Sequence, residues 1–189
     1  MKKILSLLLV LTTLVLSLVA CGGTEEGVPT GFKKASNDDA CSYTLYVPDF
    51  WTVTSGSPTD YTMATAADGV SVSMAVVKQV GDATTVGEYW EDCQEEYARL
   101  FEDFTPDAEN QGTELTVGGA YGTRYLFSAK YNGVEYRYMQ VYIVHADSLL
   151  SGSRLYIFTF AAKASAFDAY YDNEQNLDVL AILSHFKFD

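Results

Sequence analysis

The chain has 189 residues, 48% of them hydrophobic, and a formal net charge of −13 at pH 7. This length and apolar content suit a single domain with a real buried core. The acidic balance excludes nucleic acid as an expected partner, because phosphate backbones would repel the chain, and it also disfavours charge-driven binding to anionic lipid headgroups.

Residues 1–20 have the layout of a secretory signal peptide, in which Lys2 and Lys3 precede an uncharged apolar run that ends in small residues. The run is too short to span a membrane comfortably. Its end, Leu-Val-Ala-Cys, resembles the lipobox of bacterial lipoproteins, whose cysteine is diacylated after the leader is removed. The resemblance implies that Cys21 carries acyl chains such as palmitate, and that the protein is anchored in the cell membrane and faces outside the cytoplasm. The alternative is an ordinary secretory signal with an incidental cysteine.

Residues 21–40 are rich in Gly, Thr, Glu, Lys, Asn and Asp, with Val28 and Phe32 as nearly the only apolar residues. This composition predicts a flexible tether. The pair Asp38–Asp39 lacks the further oxygen ligands that calcium requires, so we predict a solvated charge pair and no metal site. A single domain is predicted over residues 41–189.

The first half of the domain is predicted to contain strands and one long helix. A strand at 42–47 is stopped by Pro48, and strands at 60–66 and 70–77 form a hairpin hinged at Asp68–Gly69. The second of these strands alternates apolar residues with Ser71, Ser73 and Ala75, so one face should be buried and the other half wet. The main helix is predicted over 85–103, because Thr85 and Glu88 form a capping box.

The central feature of the sequence is a hairpin hinged at Asn132–Gly133, because this pair favours the positive φ angles of a type I′ turn. The turn predicts that Tyr131 pairs with Val134 and that Phe127 faces Tyr138. One further strand at 114–117 should lead into this hairpin through a turn at Gly118–Gly119.

A second central strand is predicted at 154–162, two short helices at 164–171 and 174–183, and a closing strand at 184–188. The core is expected to include Tyr138, Met139, Val141 and Phe158. The order of elements predicts an α+β fold in which a mostly antiparallel β-sheet is covered by helices on both faces, an α/β/α sandwich.

Five local features together resemble the PsbP/Mog1 family. They are Tyr-Val-Pro-Asp-Phe-Trp at 46–51, a Thr-capped helix with Tyr-Trp at 89–90, Gly-Gly-Ala at 118–120, Tyr-Ile-Phe-Thr-Phe at 156–160 and Ser-His-Phe-Lys-Phe at 184–188. The resemblance covers residues 42–189 and implies the PsbP/Mog1-like fold. It also implies an accessory protein that binds other proteins or helps to assemble complexes, with no shared catalytic residues.

The sequence shows no residue set that names a reaction, a cofactor or a metal. His145 and His185 are far apart and lack zinc-ligand spacing, a Gly-x-Ser-x-Gly elbow is absent, and both histidines are expected at strand ends. Cys41 and Cys93 are expected to be buried free thiols, with a disulfide between them as the alternative.

The aromatic face of the hairpin is the most suggestive candidate for a binding surface. Its hydroxyl-bearing rings are Tyr125, Tyr136, Tyr138 and Tyr142. The alternative is that the helices cover this face and leave the hydroxyls at the rim. We therefore expect a lipid-anchored, non-catalytic accessory or binding protein that acts through protein partners. The alternatives are a small-molecule-binding lipoprotein, which needs an apolar cavity with a few polar groups, and an unrecognised hydrolase.

Overall fold

The computed structural model of the protein describes residues 27–36, 42–55, 61–77, 85–148, 152–171 and 179–188. The predicted leader, Cys21 and Cys41 lie outside these residues, so the signal peptide and the lipid anchor stay predictions. Among the helices in the described residues, none is long and apolar enough to cross a membrane.

The described chain forms eleven strands and three helices. The strands are β1 (Phe32–Lys34), β2 (Tyr43–Thr44), β3 (Tyr46–Pro48), β4 (Thr52–Ser55), β5 (Tyr61–Thr65), β6 (Ser71–Val77), β7 (Glu102–Val117), β8 (Ala120–Tyr131), β9 (Val134–Ser148), β10 (Gly152–Lys163) and β11 (Lys187–Phe188). The helices are α1 (Val86–Leu100), α2 (Phe167–Tyr171) and α3 (Val179–His185).

The main sheet is antiparallel throughout and has the strand order β4-β5-β6-β10-β9-β8-β7. Two small antiparallel pairs, β1-β3 and β2-β11, lie outside it. The mostly antiparallel sheet predicted from the sequence is therefore confirmed. The predicted strand at 42–47 is divided into β2 and β3. Strand β2 pairs with β11 and strand β3 pairs with β1, so neither joins the main sheet.

The central hairpin has the predicted register from Gly122–Ile143 to Tyr131–Val134. Asn132 and Gly133 have φ angles of 51° and 74°, which is the left-handed region that a type I′ turn requires. The residues predicted to form the core, Tyr138, Met139, Val141 and Phe158, are all at most 2% exposed. Strand β10 lies at the centre of the sheet, between β6 and β9, as its apolar faces predict.

Two apolar clusters pack against the sheet. The first joins α1 to the aromatic side of the hairpin and includes Trp90, Cys93, Tyr97, Tyr125, Phe127, Tyr138, Tyr142 and Ile157. The second is larger and includes residues of β2, β3, β6 and β10 together with Phe167 of α2 and Val179, Ile182 and Leu183 of α3. The alternation of residues along the strands divides the sheet between these clusters, because neighbouring side chains point to opposite faces.

Helix α1 begins as predicted, because Thr85 and Glu88 form the capping box. It ends at Leu100, earlier than the predicted residue 103, since Phe101 already has extended backbone and Asp103 has a φ angle of 53°. The chain then enters β7, which is much longer than the predicted strand at 114–117. Pro106 is tolerated there because β7 is an edge strand and its register with β8 shifts beside the proline.

The predicted tether at 21–40 is wrong for part of its length. Within residues 27–36, β1 pairs with β3, and Phe32 and Ala35 are buried in the larger cluster. The few apolar residues of this segment attach it to the domain. Phe32, for example, contacts the ring of His185 edge to face. The folded domain therefore begins before residue 41.

Candidate functional site

A cavity of about 240 Å³ lies on the same side of the sheet as α1. The helix covers β8 and β9, where Trp90 and Tyr97 contact the hairpin rings. Most of the side chains that face the cavity from β6 and β10 are short. They are Ser71, Ser73, Ala75, Thr159 and Ala161, and the larger Ile157 of β10 also lines the cavity. These short side chains leave a space over this part of the sheet, beside Tyr97 and Phe101 at the end of α1.

One side of the cavity is aromatic. Phe127 and Tyr138 stack with their ring centroids 4.7 Å apart and their planes inclined by 10°. Tyr97 of α1 stacks on Phe127 at 5.3 Å, and Phe101 tilts over Tyr138 at 5.9 Å. These four rings line the cavity, and Tyr131 and Tyr136 also line it from the hairpin tip. These rings form the aromatic wall of the cavity.

A buried polar group lies next to this wall. The Gln140 side chain, 6% exposed, accepts a hydrogen bond from the Tyr142 hydroxyl at 2.6 Å. Its amide nitrogen donates to the Tyr97 hydroxyl at 3.0 Å and to the Thr159 hydroxyl oxygen at 3.2 Å. The amide group is thereby satisfied within the protein, as buried polar groups usually are.

Burial keeps the hydroxyl and thiol groups of this region protonated. It raises the pKa values of Tyr97, Tyr138 and Tyr142 and raises the pKa of the Cys93 thiol to about 11, because the charged forms would be poorly solvated. The Tyr138 hydroxyl is buried without a hydrogen-bond partner among the described residues. At neutral pH these groups are neutral and Cys93 is an inert, free, buried thiol.

The four tyrosines predicted as a binding surface do not form one exposed plane. Tyr125 stacks under Trp90 at 4.6 Å, and Tyr142 is fully buried beside Gln140. Helix α1 thus covers these two rings, which was the alternative for this face. Tyr136 and Tyr138 line the cavity instead. A role in binding stays a prediction for these two residues.

Sequence reasoning missed the polar side of the cavity, to which Ser71, Ser73, Gln140 and Thr159 contribute. The signal was present in β6, where Ser71, Ser73 and Ala75 alternate with buried Val72 and Met74. This alternation predicts that one face of β6 is partly exposed to solvent. The structure confirms this prediction, because Ser71, Ser73 and Ala75 are half-buried. The depth of the cavity was not visible, because it depends on where α1 crosses the sheet.

Both histidine rings pack against phenylalanine rings. His145 lies within β9 and stacks on Phe188 with a centroid distance of 3.9 Å. His185 is the last residue of α3, which corrects its predicted place in a closing strand. In the described part of the chain, no group of three or more His, Cys, Asp or Glu residues could hold a metal ion.

No family model matches the sequence, and no curated protein sequence matches it significantly. Solved structures with a similar fold include LpqN, which is involved in cell envelope biogenesis of Mycobacterium tuberculosis. It has a TM-score of 0.59 and 16% sequence identity, over 82% of this chain and 89% of LpqN. They also include the Ran-binding protein Mog1p of Saccharomyces cerevisiae, with a TM-score of 0.52 and 12% identity, over 83% of this chain and 95% of Mog1p. The predicted resemblance is therefore confirmed at the level of the fold: this chain has a Mog1-like fold built on a mostly antiparallel sheet.

Proposed function

We propose that this protein is a non-catalytic binding protein, anchored through acyl chains on Cys21 outside the cytoplasm, and that its cavity binds a small uncharged molecule. The observation that carries the proposal is the cavity itself, which combines an aromatic side with hydroxyl and amide groups. A concave and mostly apolar site with a few convergent polar groups is typical of small-molecule binding. The small-molecule alternative is thus favoured over a flat aromatic surface.

The arrangement of the helices supports this proposal. We place α1 over one face of the sheet and α2 and α3 over the other, the α/β/α arrangement, because their buried residues belong to different clusters. Trp90 and Tyr97 hold α1 over the hairpin. Strands β5 and β6 lie beyond the part of the sheet that α1 covers. This offset leaves the cavity accessible beside the helix.

The size and charge of the cavity limit the ligand. An apolar cavity of about 150 Å³ holds one benzene molecule, so the volume here suits a ligand of roughly ten non-hydrogen atoms. None of the described residues that line the cavity is charged. An ionised ligand would lose its hydration without gaining a counter-charge from them, which disfavours anions and cations.

The same lining favours binding over catalysis. General acid–base catalysis near neutral pH needs a group with a pKa close to 7, most often a histidine. The described residues of the cavity contribute aromatic, aliphatic, hydroxyl and amide side chains, and burial raises the tyrosine pKa values further from neutrality. These groups can hold and orient a ligand.

The proposal is tested by comparing acetophenone with benzoate, which have equal numbers of non-hydrogen atoms and differ in charge. By NMR titration we expect acetophenone to bind with a Kd of about 1 mM or tighter, and benzoate at least about tenfold more weakly, since it must lose the hydration of its charge. Ala75→Phe, which fills the cavity, should abolish acetophenone binding. Leu180→Phe, on the exposed side of α3, is the matched control and should not.

A protein partner is the second candidate function. It is favoured by the exposed acidic residues Glu91, Asp92 and Glu95 on α1, and by Mog1p, a protein of the same fold whose name describes it as Ran-binding. Crosslinking and pull-down of the anchored protein from its native membrane test this candidate. If reversing these three charges abolished capture of the partner, and Ala75→Phe did not affect that capture, protein binding would be favoured over ligand binding.

Anchoring is tested separately at Cys21. We expect Cys21→Ser to release the protein from the membrane or to leave its leader unprocessed. Cys93→Ser is the control, because Cys93 lies in the folded domain and should not affect acylation. Acyl labelling that persisted in Cys21→Ser would contradict the anchor.

A further inference from the structure

A row of polar side chains crosses the floor of the cavity. Gln140 of β9 pairs with Thr159 of β10, and Thr159 pairs with Ser73 of β6. Paired residues on adjacent antiparallel strands point to the same face and lie side by side. All three side chains line the cavity, so their polar atoms form one continuous row.

The hydrogen bonds of Gln140 determine what this row offers to a ligand. Its amide nitrogen donates to the Thr159 oxygen at 3.2 Å, which occupies a lone pair of that hydroxyl. The hydroxyl proton of Thr159 is left to donate elsewhere. The Ser73 hydroxyl has no hydrogen-bond partner in the part of the chain that the structure describes. Thr159 and Ser73 therefore offer two adjacent donors to the cavity.

The aromatic side lies beyond this row along the sheet. Tyr138 is on β9 and Phe127 on β8, so their rings continue the floor on the side away from Ser73. Phe101, at the end of α1, tilts over Tyr138 at 5.9 Å. A ligand that fills the cavity meets hydroxyl donors at one end and aromatic rings at the other.

We propose that the cavity binds an uncharged aromatic compound that carries a hydrogen-bond acceptor, such as a carbonyl oxygen, at one edge. Its ring packs against Tyr138 and Phe101, and its acceptor receives hydrogen bonds from Thr159 and Ser73. A wholly apolar ligand would displace water from both hydroxyls and leave their protons without an acceptor, which costs free energy. This assignment rests on the proposed function and adds to it the class of ligand and the residues that select it.

The experiment compares acetophenone with α-methylstyrene, in which a CH₂ group replaces the carbonyl oxygen at nearly the same shape. The measured quantity is the ratio of the two dissociation constants, obtained by NMR titration of the folded protein. Ser73→Ala removes one donor, and Thr159→Val removes the other at nearly constant volume. Ser128→Ala is the control, because Ser128 lies in the same sheet with its side chain on the opposite face from Phe127.

We expect each of the first two variants to reduce the preference for acetophenone by about threefold to tenfold, the value of one hydrogen bond. Ser128→Ala should leave the ratio unchanged. If both probes bind and neither Ser73→Ala nor Thr159→Val changes the ratio, the selection by these hydroxyls is overturned while the proposed cavity function stands. If neither probe binds the unaltered protein, the proposed function is overturned together with this inference.

Discussion

Trp90 of α1 stacks on Tyr125 of β8 with the ring centroids 4.6 Å apart and the planes inclined by 20°. The indole N–H of Trp90 donates to the Gln111 side chain of β7 at 3.0 Å, and the Gln111 amide donates to the Leu126 carbonyl oxygen at 2.7 Å. The Gln111 side chain therefore joins α1 to β7 and β8, the two strands at this edge of the sheet.

The first prediction is that Trp90→Ala lowers the free energy of unfolding by about 3–5 kcal/mol, the usual cost of truncating a buried tryptophan. Urea denaturation monitored by circular dichroism measures this change. The matched control is Tyr121→Ala, because Tyr121 is aromatic and 83% exposed, and the expected change is within about 0.5 kcal/mol. Equal effects of the two substitutions would mean that α1 is not held by Trp90.

The elements that the sequence predicts well are those specified by neighbouring residues. The register of the hairpin follows from Asn132–Gly133, and the start of α1 follows from Thr85 and Glu88, because both depend on local backbone geometry. The fold class follows from the order of such elements.

The elements that it predicts poorly depend on distant contacts. The sequence of β7 is polar and contains Pro106, which is typical of a loop. The segment is a strand because it pairs with β8. Phe32 lies in a hydrophilic segment, and its position depends on the pairing of β1 with β3 and on its contact with His185. The cavity depends on the position of α1 over the sheet, which no local pattern of Ser73 or Thr159 specifies.

The second prediction concerns acid stability at the start of α1. The Glu88 carboxylate accepts hydrogen bonds from the Thr85 backbone N–H at 2.8 Å and from the Thr85 hydroxyl at 3.0 Å, which lower the pKa of Glu88. A carboxyl whose pKa is lower in the folded state stabilises the fold above its unfolded pKa, and this contribution is lost as the pH falls through the folded pKa.

We therefore expect Glu88→Gln to reduce the difference in unfolding midpoint between pH 7 and pH 3. Urea titrations at a series of pH values measure that difference. Glu91→Gln is the control, since Glu91 is an exposed acid of the same helix that makes no capping hydrogen bond. A pH dependence unchanged by Glu88→Gln would rule out this contribution from the cap.

The third prediction compares two buried tyrosines of β9. The Tyr142 hydroxyl donates to Gln140 at 2.6 Å, whereas the Tyr138 hydroxyl is buried without a partner among the described residues. Removing the Tyr142 hydroxyl loses the shorter bond and leaves the Gln140 side-chain oxygen with only the longer bond from the Tyr97 hydroxyl at 3.2 Å, whereas removing an unpaired hydroxyl relieves a cost. Tyr142→Phe should lower the free energy of unfolding by about 1–2 kcal/mol, and Tyr138→Phe should leave it unchanged or raise it.

Because both substitutions remove only one oxygen atom from rings on the same strand, each serves as the control for the other. Thermal and urea unfolding of the ligand-free proteins measure the difference. A larger loss for Tyr138→Phe than for Tyr142→Phe would show that the Tyr138 hydroxyl has a partner in solution.

The last prediction is that replacing both His145 and His185 by asparagine lowers stability and leaves ligand binding intact. His145 stacks on Phe188 of β11 at 3.9 Å and His185 contacts Phe32 of β1 at 4.9 Å, so the two rings pack these short strands onto the domain. Each aromatic pair contributes about 0.5–1.5 kcal/mol, which sets the expected loss. Neither histidine lines the cavity, so the Kd for acetophenone should be unchanged. If the folded double variant still bound its ligand but lost a measurable turnover, a histidine would be catalytic and the protein would be an enzyme.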